Sequence, residues 1–203
     1  MVQEKNKTVG IVNYGAGNIF SLTAALRRQD ISYGMINAPG DLKGFERVII
    51  PGVGHAAKAM KKLDTIKMIE AVKALEKPVL GICLGMQLLT RFSEEGDTPL
   101  LDLIPLNTTA FSDDVGLKVP HMGWNMVHKE QSSPILTNID DNSYFYFVHS
   151  FYIEYNPKFT VASCNYGLNF SAIIKNKNFY GVQFHPEKSG TAGETLLKNF
   201  ATL

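Results

Sequence analysis

Residues 81–87, with the sequence GICLGMQ, place one cysteine between two glycines at the boundary between two sequence patterns. The apolar run at 78–82 predicts a buried strand, and Leu84, Leu88 and Phe92 recur at the spacing of a helix that follows it. A cysteine on such a sharp strand-to-helix turn has the arrangement of a nucleophile elbow, in which small neighbours let the strand and the helix approach closely. The free N–H groups at the start of the helix favour a thiolate. We therefore predict that Cys83 is a nucleophile that points out of the sheet toward substrate.

The chain before this turn repeats the same pattern of strand and then helix. Apolar runs predict strands at 9–12, 33–36, 47–50 and 79–82. We expect a helix after Asn18 and a long helical region after Gly54. Strands that alternate with helices imply right-handed crossovers and a parallel sheet. The glycines at 15 and 17 do not form a dinucleotide fingerprint, since Phe20 stands where G-x-G-x-x-G requires its third glycine.

From about Gly96 the pattern changes to short apolar or alternating runs that are separated by turn residues. These runs predict extended and partly antiparallel segments, followed by a last helix at 193–202; the segments are 108–111, 126–128, 144–148, 160–163, 170–174 and 179–182. We therefore predict an α/β fold with a mostly parallel central sheet flanked by helices. It is a flavodoxin-like three-layer sandwich with an additional, largely antiparallel section in the C-terminal half. One domain is expected to span 1–203, since a chain of 203 residues buries a continuous core without disulfides or a structural metal.

Composition narrows the classes of partner. The chain is 45% hydrophobic and 19% charged, with a formal net charge of +1 and dispersed basic residues, which disfavours a nucleic-acid or membrane partner. Cys83 and Cys164 are the two cysteines and have no CxxC spacing, and the polar start at 1–7 has no apolar signal region. We expect a cytosolic protein without a disulfide framework. Neither a metal nor a cofactor is expected, because no cluster of His, Cys and carboxylates has metal-ligand spacing.

A cysteine nucleophile needs a base, and the segment around residue 185 offers one. In an extended segment, residues two apart face the same way, so His185 and Glu187 lie side by side, with Pro186 stiffening the chain between them. Glu187 then orients the imidazole while His185 reaches Cys83. The sequence predicts a catalytic triad of Cys83, His185 and Glu187.

An oxyanion hole is the remaining requirement, because attack on a carbonyl generates a negatively charged oxygen. In a nucleophile elbow one N–H comes from the residue after the nucleophile, here Leu84, and another comes from a loop after a different strand. Gly52 and Gly54 flank Val53 in such a loop, and glycines let backbone approach a ligand closely and make rotation of a peptide easy. We predict an oxyanion hole formed by Leu84, Val53 and Gly52.

Together, residues 81–87 and 183–189 resemble the catalytic set of class I, triad-type glutamine amidotransferases. Further matching segments extend this resemblance over nearly the whole chain, with the glutaminase subunits of imidazole glycerol phosphate synthase as the most similar group; they are NYGAGN at 13–18, PGVG at 51–54, PHMGWN at 120–125 and YFVHS at 146–150. The resemblance implies that Cys83 attacks the side-chain amide of glutamine and releases ammonia. Water then hydrolyses the glutamyl thioester to glutamate.

The same resemblance implies a substrate site and a partner face. Glutamine would be surrounded by Gly52, Gln87, Glu95, Ser150 and Phe151, with Glu95 near its ammonium group. A barrel-shaped cyclase subunit would form a heterodimer and receive ammonia that does not enter bulk water, docking on a face with Tyr14, Asn18, Met122, Trp124 and Tyr146. His55 departs from the small or apolar residue that family members often have there, and no catalytic role is predicted for it.

Other functions compete with this one. A hydrolase or stress-protein fold with a reactive cysteine leaves residues 185–187 and the segment around Trp124 unexplained. A catalytically silent binding subunit is disfavoured by the intact triad. A glutaminase that supplies ammonia to a different synthase, such as a surface-sugar amidating enzyme, stays open, because the acceptor binds to the partner.

Overall fold

The computed structural model describes residues 7–112 and 116–203, so the polar start at 1–6 lies outside the described residues. The first half of the chain alternates strands with helices: β1 (Lys7–Val12), α1 (Ile19–Arg28), β2 (Tyr33–Ile36), β3 (Phe45–Gly52), α2 (Ala56–Thr65), α3 (Met68–Lys73), β4 (Val79–Cys83) and α4 (Leu84–Leu88). The second half is mostly extended: β5 (Phe92–Ser93), β6 (Thr98–Pro99), β7 (Asn107–Ala110), β8 (His121–Lys129), β9 (Ser143–His149), β10 (Phe151–Ile153), β11 (Thr160–Asn165), β12 (Asn169–Asn176), β13 (Phe179–Val182) and the helix α5 (Gly190–Ala201).

Within the described ranges, a nine-stranded sheet has the order β2-β1-β3-β4-β13-β12-β11-β8-β9. Its strands from β2 to β13 are parallel, and those from β13 to β9 are antiparallel. A smaller sheet, again among the described residues, has the order β10-β7-β5-β6. Gly181 and Val182 of β13 pair with Gly81 and Ile82 of β4. The strands that lead to Cys83 and His185 are therefore neighbours.

Helices cover both faces of the large sheet, and each face has its own apolar core. On one face α1 and α5 bury Leu22 and Phe200 against Ile49 of β3. On the other face α2 and α3 bury Leu63 and Val72. Alternate residues of a strand point to opposite faces, which explains why the central strands are buried along most of their length. The predicted α/β fold, with a large central sheet flanked by helices, is confirmed.

The helix after the elbow is shorter than predicted. The expectation that Phe92 belongs to its apolar stripe is wrong, because α4 ends at Leu88 and Phe92 lies in β5, in register with Asn107. The main-chain N–H of Arg91 donates to the carbonyl of Leu106 at 2.9 Å. The backbone groups near Phe92 therefore form hydrogen bonds with a distant segment, and not the bonds within a longer helix that the apolar spacing predicted.

The long helical region predicted after Gly54 is divided into α2 and α3. Lys67 stands between them with φ +57°, in the left-handed region, and its N–H donates to the Asp64 carbonyl at 2.9 Å. A left-handed residue cannot continue a right-handed helix, so the chain changes direction there. No helix among residues 7–112 and 116–203 is long and apolar enough to cross a membrane.

Candidate active site

Cys83 lies at the sharp turn between β4 and α4. Its backbone has φ +53° and ψ −111°, a conformation that costs a non-glycine residue about 1–3 kcal/mol. A side chain at Gly85 would overlap the carbonyl of Ile50 in β3, so only glycine allows α4 to approach the sheet this closely. The turn holds the Cys83 thiol at the carboxyl edge of the sheet, although the residue is only 6% exposed.

His185 lies three residues after the end of β13 and forms a hydrogen bond with Glu187. Nδ1 of the ring is 2.8 Å from Oε1 of Glu187, and both side chains are 3% exposed. The segment is not extended throughout as predicted: Pro186–Lys188 is a 3₁₀ turn, which still brings the two side chains together. Because a carboxylate only accepts, Nδ1 donates its proton to Glu187, and Nε2 is left available for another group.

The environment of His185 favours its charged form. Nε2 is buried and forms no hydrogen bond within the described residues. The Cys83 thiol lies close enough to affect the pKa of the ring. Burial lowers the pKa of His185, but its interactions with Cys83 and with Glu187 outweigh burial and raise the pKa to about 10. An imidazolium beside the sulfur stabilises a thiolate, which is the nucleophilic form of cysteine.

Gln183 contacts the thiol, although no role was predicted for it from the sequence. Its side-chain amide donates from Nε2 to Sγ of Cys83 at 3.8 Å, and its Oε1 accepts from Nε2 of Gln87 at 3.1 Å. Gln183 is completely buried. The signal that could have identified it is its position two residues before His185 in the segment predicted to be extended, since residues two apart in such a segment face the same way.

A cleft of about 310 Å³ opens beside Cys83. It is lined by Cys83 and His185 of the predicted triad and by six further residues for which a role was predicted from the sequence or the resemblance: Val53, Leu84, Gln87, Glu95, Ser150 and Phe151. It is also lined by residues that had no predicted role, namely Gly54, Pro120, Val148 and His149. Gly52 does not line this cleft and instead borders a small crevice together with Asn18, His185 and Glu187. The cleft has the size of a small-molecule site.

Two of the predicted substrate residues are already hydrogen-bonded within the protein. Glu95 accepts the main-chain N–H of Ala56 at 2.6 Å, so its carboxylate is held at the N-terminus of α2. Gln87 is 5% exposed and directs Nε2 to the Phe151 carbonyl as well as to Gln183, each at 3.1 Å. Gln87 therefore supports the wall of the cleft and has no free amide hydrogen at Nε2. His55 caps α2 by accepting at Nδ1, from an N–H 3.2 Å away.

Residues 11–203 match the family described as Glutamine amidotransferase class-I. The chain belongs to this family. The amidotransferase is 44% identical to imidazole glycerol phosphate synthase subunit HisH of Pasteurella multocida over 194 residues, which are 96% of this chain and 97% of that protein. It is 46% identical to the protein of the same name from Haemophilus influenzae, over 95% of this chain and 96% of the relative. A crystal structure of a glutamine amidotransferase has the same fold, with a TM-score of 0.75 at 16% identity, over 97% of this chain and 100% of that one.

In the amidotransferase, the loop after β3 lies over the elbow. Val53 is 44% exposed, and Gly54 has φ +99°, which glycine adopts readily and other residues do not. Tyr14 lies below this loop and donates its hydroxyl to the carbonyl of Pro51 at 2.6 Å. Burial and the proximity of Cys83 both raise the pKa of Tyr14. The Tyr14 hydroxyl thus holds the end of β3 in place, whereas Val53 and Gly54 in the following loop line the cleft.

The strands β8 and β9 of the amidotransferase present an exposed apolar face. Met122 is 61% exposed and Trp124 is 55% exposed, and Tyr146 lies opposite Trp124 with its ring centroid 6.2 Å away. Asn18 borders the crevice described above, and its side chain caps α1. Tyr14 differs from the other residues predicted for a partner face, because it is only 4% exposed and has little area to offer.

Proposed function

We propose that this amidotransferase hydrolyses L-glutamine to L-glutamate and ammonia through a thioester at Cys83, and that it supplies the ammonia to a cyclase partner for imidazole glycerol phosphate formation in histidine biosynthesis. The observation that carries the chemistry is the position of the His185 ring. Its Nδ1 is 2.8 Å from Oε1 of Glu187, and the opposite side of the ring lies beside the Cys83 thiol. The relatives named as HisH subunits support the pathway.

The reaction begins with proton transfer from the Cys83 thiol to Nε2 of His185, while Glu187 holds Nδ1–H. The thiolate attacks the side-chain amide carbon of glutamine, and the N–H groups of Leu84 and Val53 stabilise the oxygen that becomes negative. The imidazolium of His185 then donates its proton to the leaving amino group, and ammonia departs as the thioester forms.

Hydrolysis of the thioester repeats these steps with water as the nucleophile. His185 removes a proton from the water, whose oxygen attacks the acyl carbon, and the oxyanion forms again at the same N–H groups. The bond to sulfur then breaks, the sulfur regains a proton from His185, and glutamate leaves. Glutamine is held beside Ser150 and Phe151 during both steps, with its ammonium group near Glu95.

The partner docks on the exposed face of β8 and β9. Exposed apolar patches of this kind are typical of protein–protein interfaces. We place Met122, Trp124 and Tyr146 in the heterodimer contact. Asn18, which borders the crevice lined by His185 and Glu187, is a further contact in this proposal. The chain acts as a single cytosolic domain in this proposal.

Reconstitution tests the proposal. The chain is mixed with the cyclase subunit from the same organism and its acceptor nucleotide, and glutamate and imidazole glycerol phosphate are both measured. We expect both products from glutamine. A complex with Cys83→Ala should form imidazole glycerol phosphate from added ammonium salt but not from glutamine, because only the ammonia source is lost. Glutamate formation with a different synthase, and none with the cyclase, would contradict the assigned acceptor.

A further inference from the structure

Two buried histidines face each other across β8 and β9, beside the cleft. His121 and His149 are opposite in the strand register, and Nδ1 of His121 is 2.9 Å from Nε2 of His149. They are 2% and 6% exposed. The ring of His121 stacks on that of Tyr166, with centroids 3.9 Å apart. Neither histidine belongs to the triad, so the mechanism above leaves the pair unexplained.

Their hydrogen bonds fix where each proton lies. Nδ1 of His149 is 2.7 Å from the carbonyl of Phe151, which only accepts, so Nδ1 holds the proton and Nε2 is an acceptor. Nδ1 of His121 must then donate to that Nε2. Nε2 of His121 becomes the next acceptor, and Nδ2 of Asn125 lies 3.2 Å from it.

The other end of the chain of bonds requires the same order. Oδ1 of Asn125 accepts the N–H of Met126 at 2.8 Å, and its Nδ2 donates to the carbonyl of Asn165 at 2.9 Å. These two backbone groups turn the amide nitrogen of Asn125 toward His121. The donor-to-acceptor order is therefore the same in all three bonds: Asn125 donates to His121, His121 to His149, and His149 to the carbonyl of Phe151.

This order requires both rings to be neutral. A proton added to Nε2 of His149 would place two donors face to face at the shared bond. Burial lowers the pKa of His121 to about 4. Burial, together with the nearby His121 and His185, lowers the pKa of His149 to about 3 against the raising effect of its bond to Phe151.

The chain of bonds ends at the machinery around the thiol. The Phe151 carbonyl that accepts from His149 also accepts from Gln87, and Gln87 is bonded to Gln183, whose amide contacts Sγ of Cys83. Phe151 and the preceding residue line the cleft. His149 is thus one of two side-chain donors that hold the Phe151 carbonyl, the other being Gln87, and His121 in turn donates to Nε2 of His149.

We infer that His121 and His149 are positioning residues for glutamine hydrolysis, because the ordered pair holds the Phe151 peptide and with it one wall of the glutamine cleft. This inference rests on the proposed function, since it concerns the same cleft. The pair acts through Phe151 and Gln87 and takes no proton from substrate. Its loss affects how well glutamine is held more than how fast the held glutamine reacts.

Steady-state kinetics of the reconstituted complex test the inference. His149→Leu removes one of the two donors to the Phe151 carbonyl. It is expected to raise KM for glutamine about tenfold, the effect of one neutral hydrogen bond, with kcat within about threefold of wild type. His149→Asn places an amide nitrogen near the Nδ1 position and should restore most of the lost KM. Asn199→Leu is the matched control, because Asn199 also donates from a side chain to backbone carbonyls, those of Ile135 and Thr137, but lies on α5 and is outside the chain of bonds. A purely structural role would instead lower kcat with the folded fraction and leave KM unchanged.

A second measurement does not depend on any variant folding. Nitrogen-15 NMR of the wild-type protein distinguishes the two neutral forms of histidine, and we expect the proton on Nδ1 in both His121 and His149. The Nε2–H form in either ring, or equal KM values for His149→Leu and Asn199→Leu, would overturn the inference and leave the proposed function intact. A wild-type complex that does not hydrolyse glutamine would overturn both.

Discussion

Replacing Gly52 with alanine is expected to displace the elbow itself, and not merely to stiffen the loop that holds Val53. A Cβ atom at position 52 would lie 2.7 Å from the nitrogen of Gly85, 2.8 Å from Cβ of Leu84 and 2.9 Å from the hydroxyl of Tyr14. The first two belong to the turn that positions the nucleophile. A Cβ atom in a native protein essentially never lies within 3.0 Å of such a neighbouring atom, so some of these atoms must move.

The distances set the size of the effect. Ordinary van der Waals contact begins at 3.4 Å, so the first turn of α4 must retreat from β3 by about 0.7 Å. A misplacement of about 1 Å in a reacting geometry lowers rates about a hundredfold, and overpacking costs about 1–3 kcal/mol of stability. We expect Gly52→Ala to lose about ten- to a hundredfold in glutaminase rate, with and without the partner.

Two further glycines supply the comparison. A Cβ atom at Gly54 would meet no atom within 4 Å, but this residue has φ +99°, so Gly54→Ala strains the loop without overlap. It should change the ratio of partner-stimulated to basal activity while the elbow keeps its stability. Gly40, in the 3₁₀ segment Pro39–Gly44, has open space and no positive φ, and Gly40→Ala measures the effect of alanine alone.

Glutamate release by each variant is measured for the isolated chain and for the complex, and thermal unfolding is followed by circular dichroism. A loss of about 1–3 kcal/mol corresponds to a decrease in Tm of roughly 2–12 °C for a chain of this size. A Gly52→Ala protein with wild-type rate and Tm would refute the steric reasoning. Equal losses of rate and Tm in Gly54→Ala would show that stiffness, and not overlap, is responsible.

Cys83→Ala is expected to abolish glutamine hydrolysis in a folded chain, while Cys164→Ala retains it, because burial raises the pKa of the Cys164 thiol to about 12; labelling of Cys164 by a glutamine-like electrophile would contradict this. Glu187→Gln should slow glutamate release less than His185→Ala, since Glu187 orients the ring while the base contributes about a hundred- to ten-thousandfold; an equal loss in two folded variants would reverse that order. Acidification from about pH 6.5 to about 4 should lower stability, because folding lowers the pKa of His121 from 6.5 to about 4 and the unfolded chain takes up the proton first. The urea midpoint of His121→Phe should therefore fall less steeply over this range, and an unchanged slope would count against the assignment.

Local features made the candidate triad predictable. The elbow depends on residues within one turn of Cys83, and His185 and Glu187 are two positions apart, so neither motif requires knowledge of the topology. Parallel strands could be inferred from the alternation of strand and helix, because a short loop cannot join parallel neighbours. The roles of these residues in catalysis stay a prediction until they are tested by substitution.

The remaining features of the fold and the site could not be predicted, because they depend on contacts between segments that are distant in the sequence. The bond between His121 and His149 spans 28 residues, and the contact between Cys83 and Gln183 spans 100, so no local pattern indicates either. The position of Phe92 illustrates the same limit, because its apolar spacing fits a helix equally well. A helix assigned from spacing alone ignores which distant strand competes for its backbone hydrogen bonds.

The position of β13 ties activity to the order in which the chain is synthesised. This strand comes after the other strands of the described residues, yet it lies between β4 and β12 in the middle of the sheet. The ribosome therefore makes the nucleophile long before it makes the base, and the earlier strands cannot close the sheet until 179–182 emerges. A nascent or truncated chain that ends before His185 has a thiol without its base, and so it is not expected to consume glutamine in the cell.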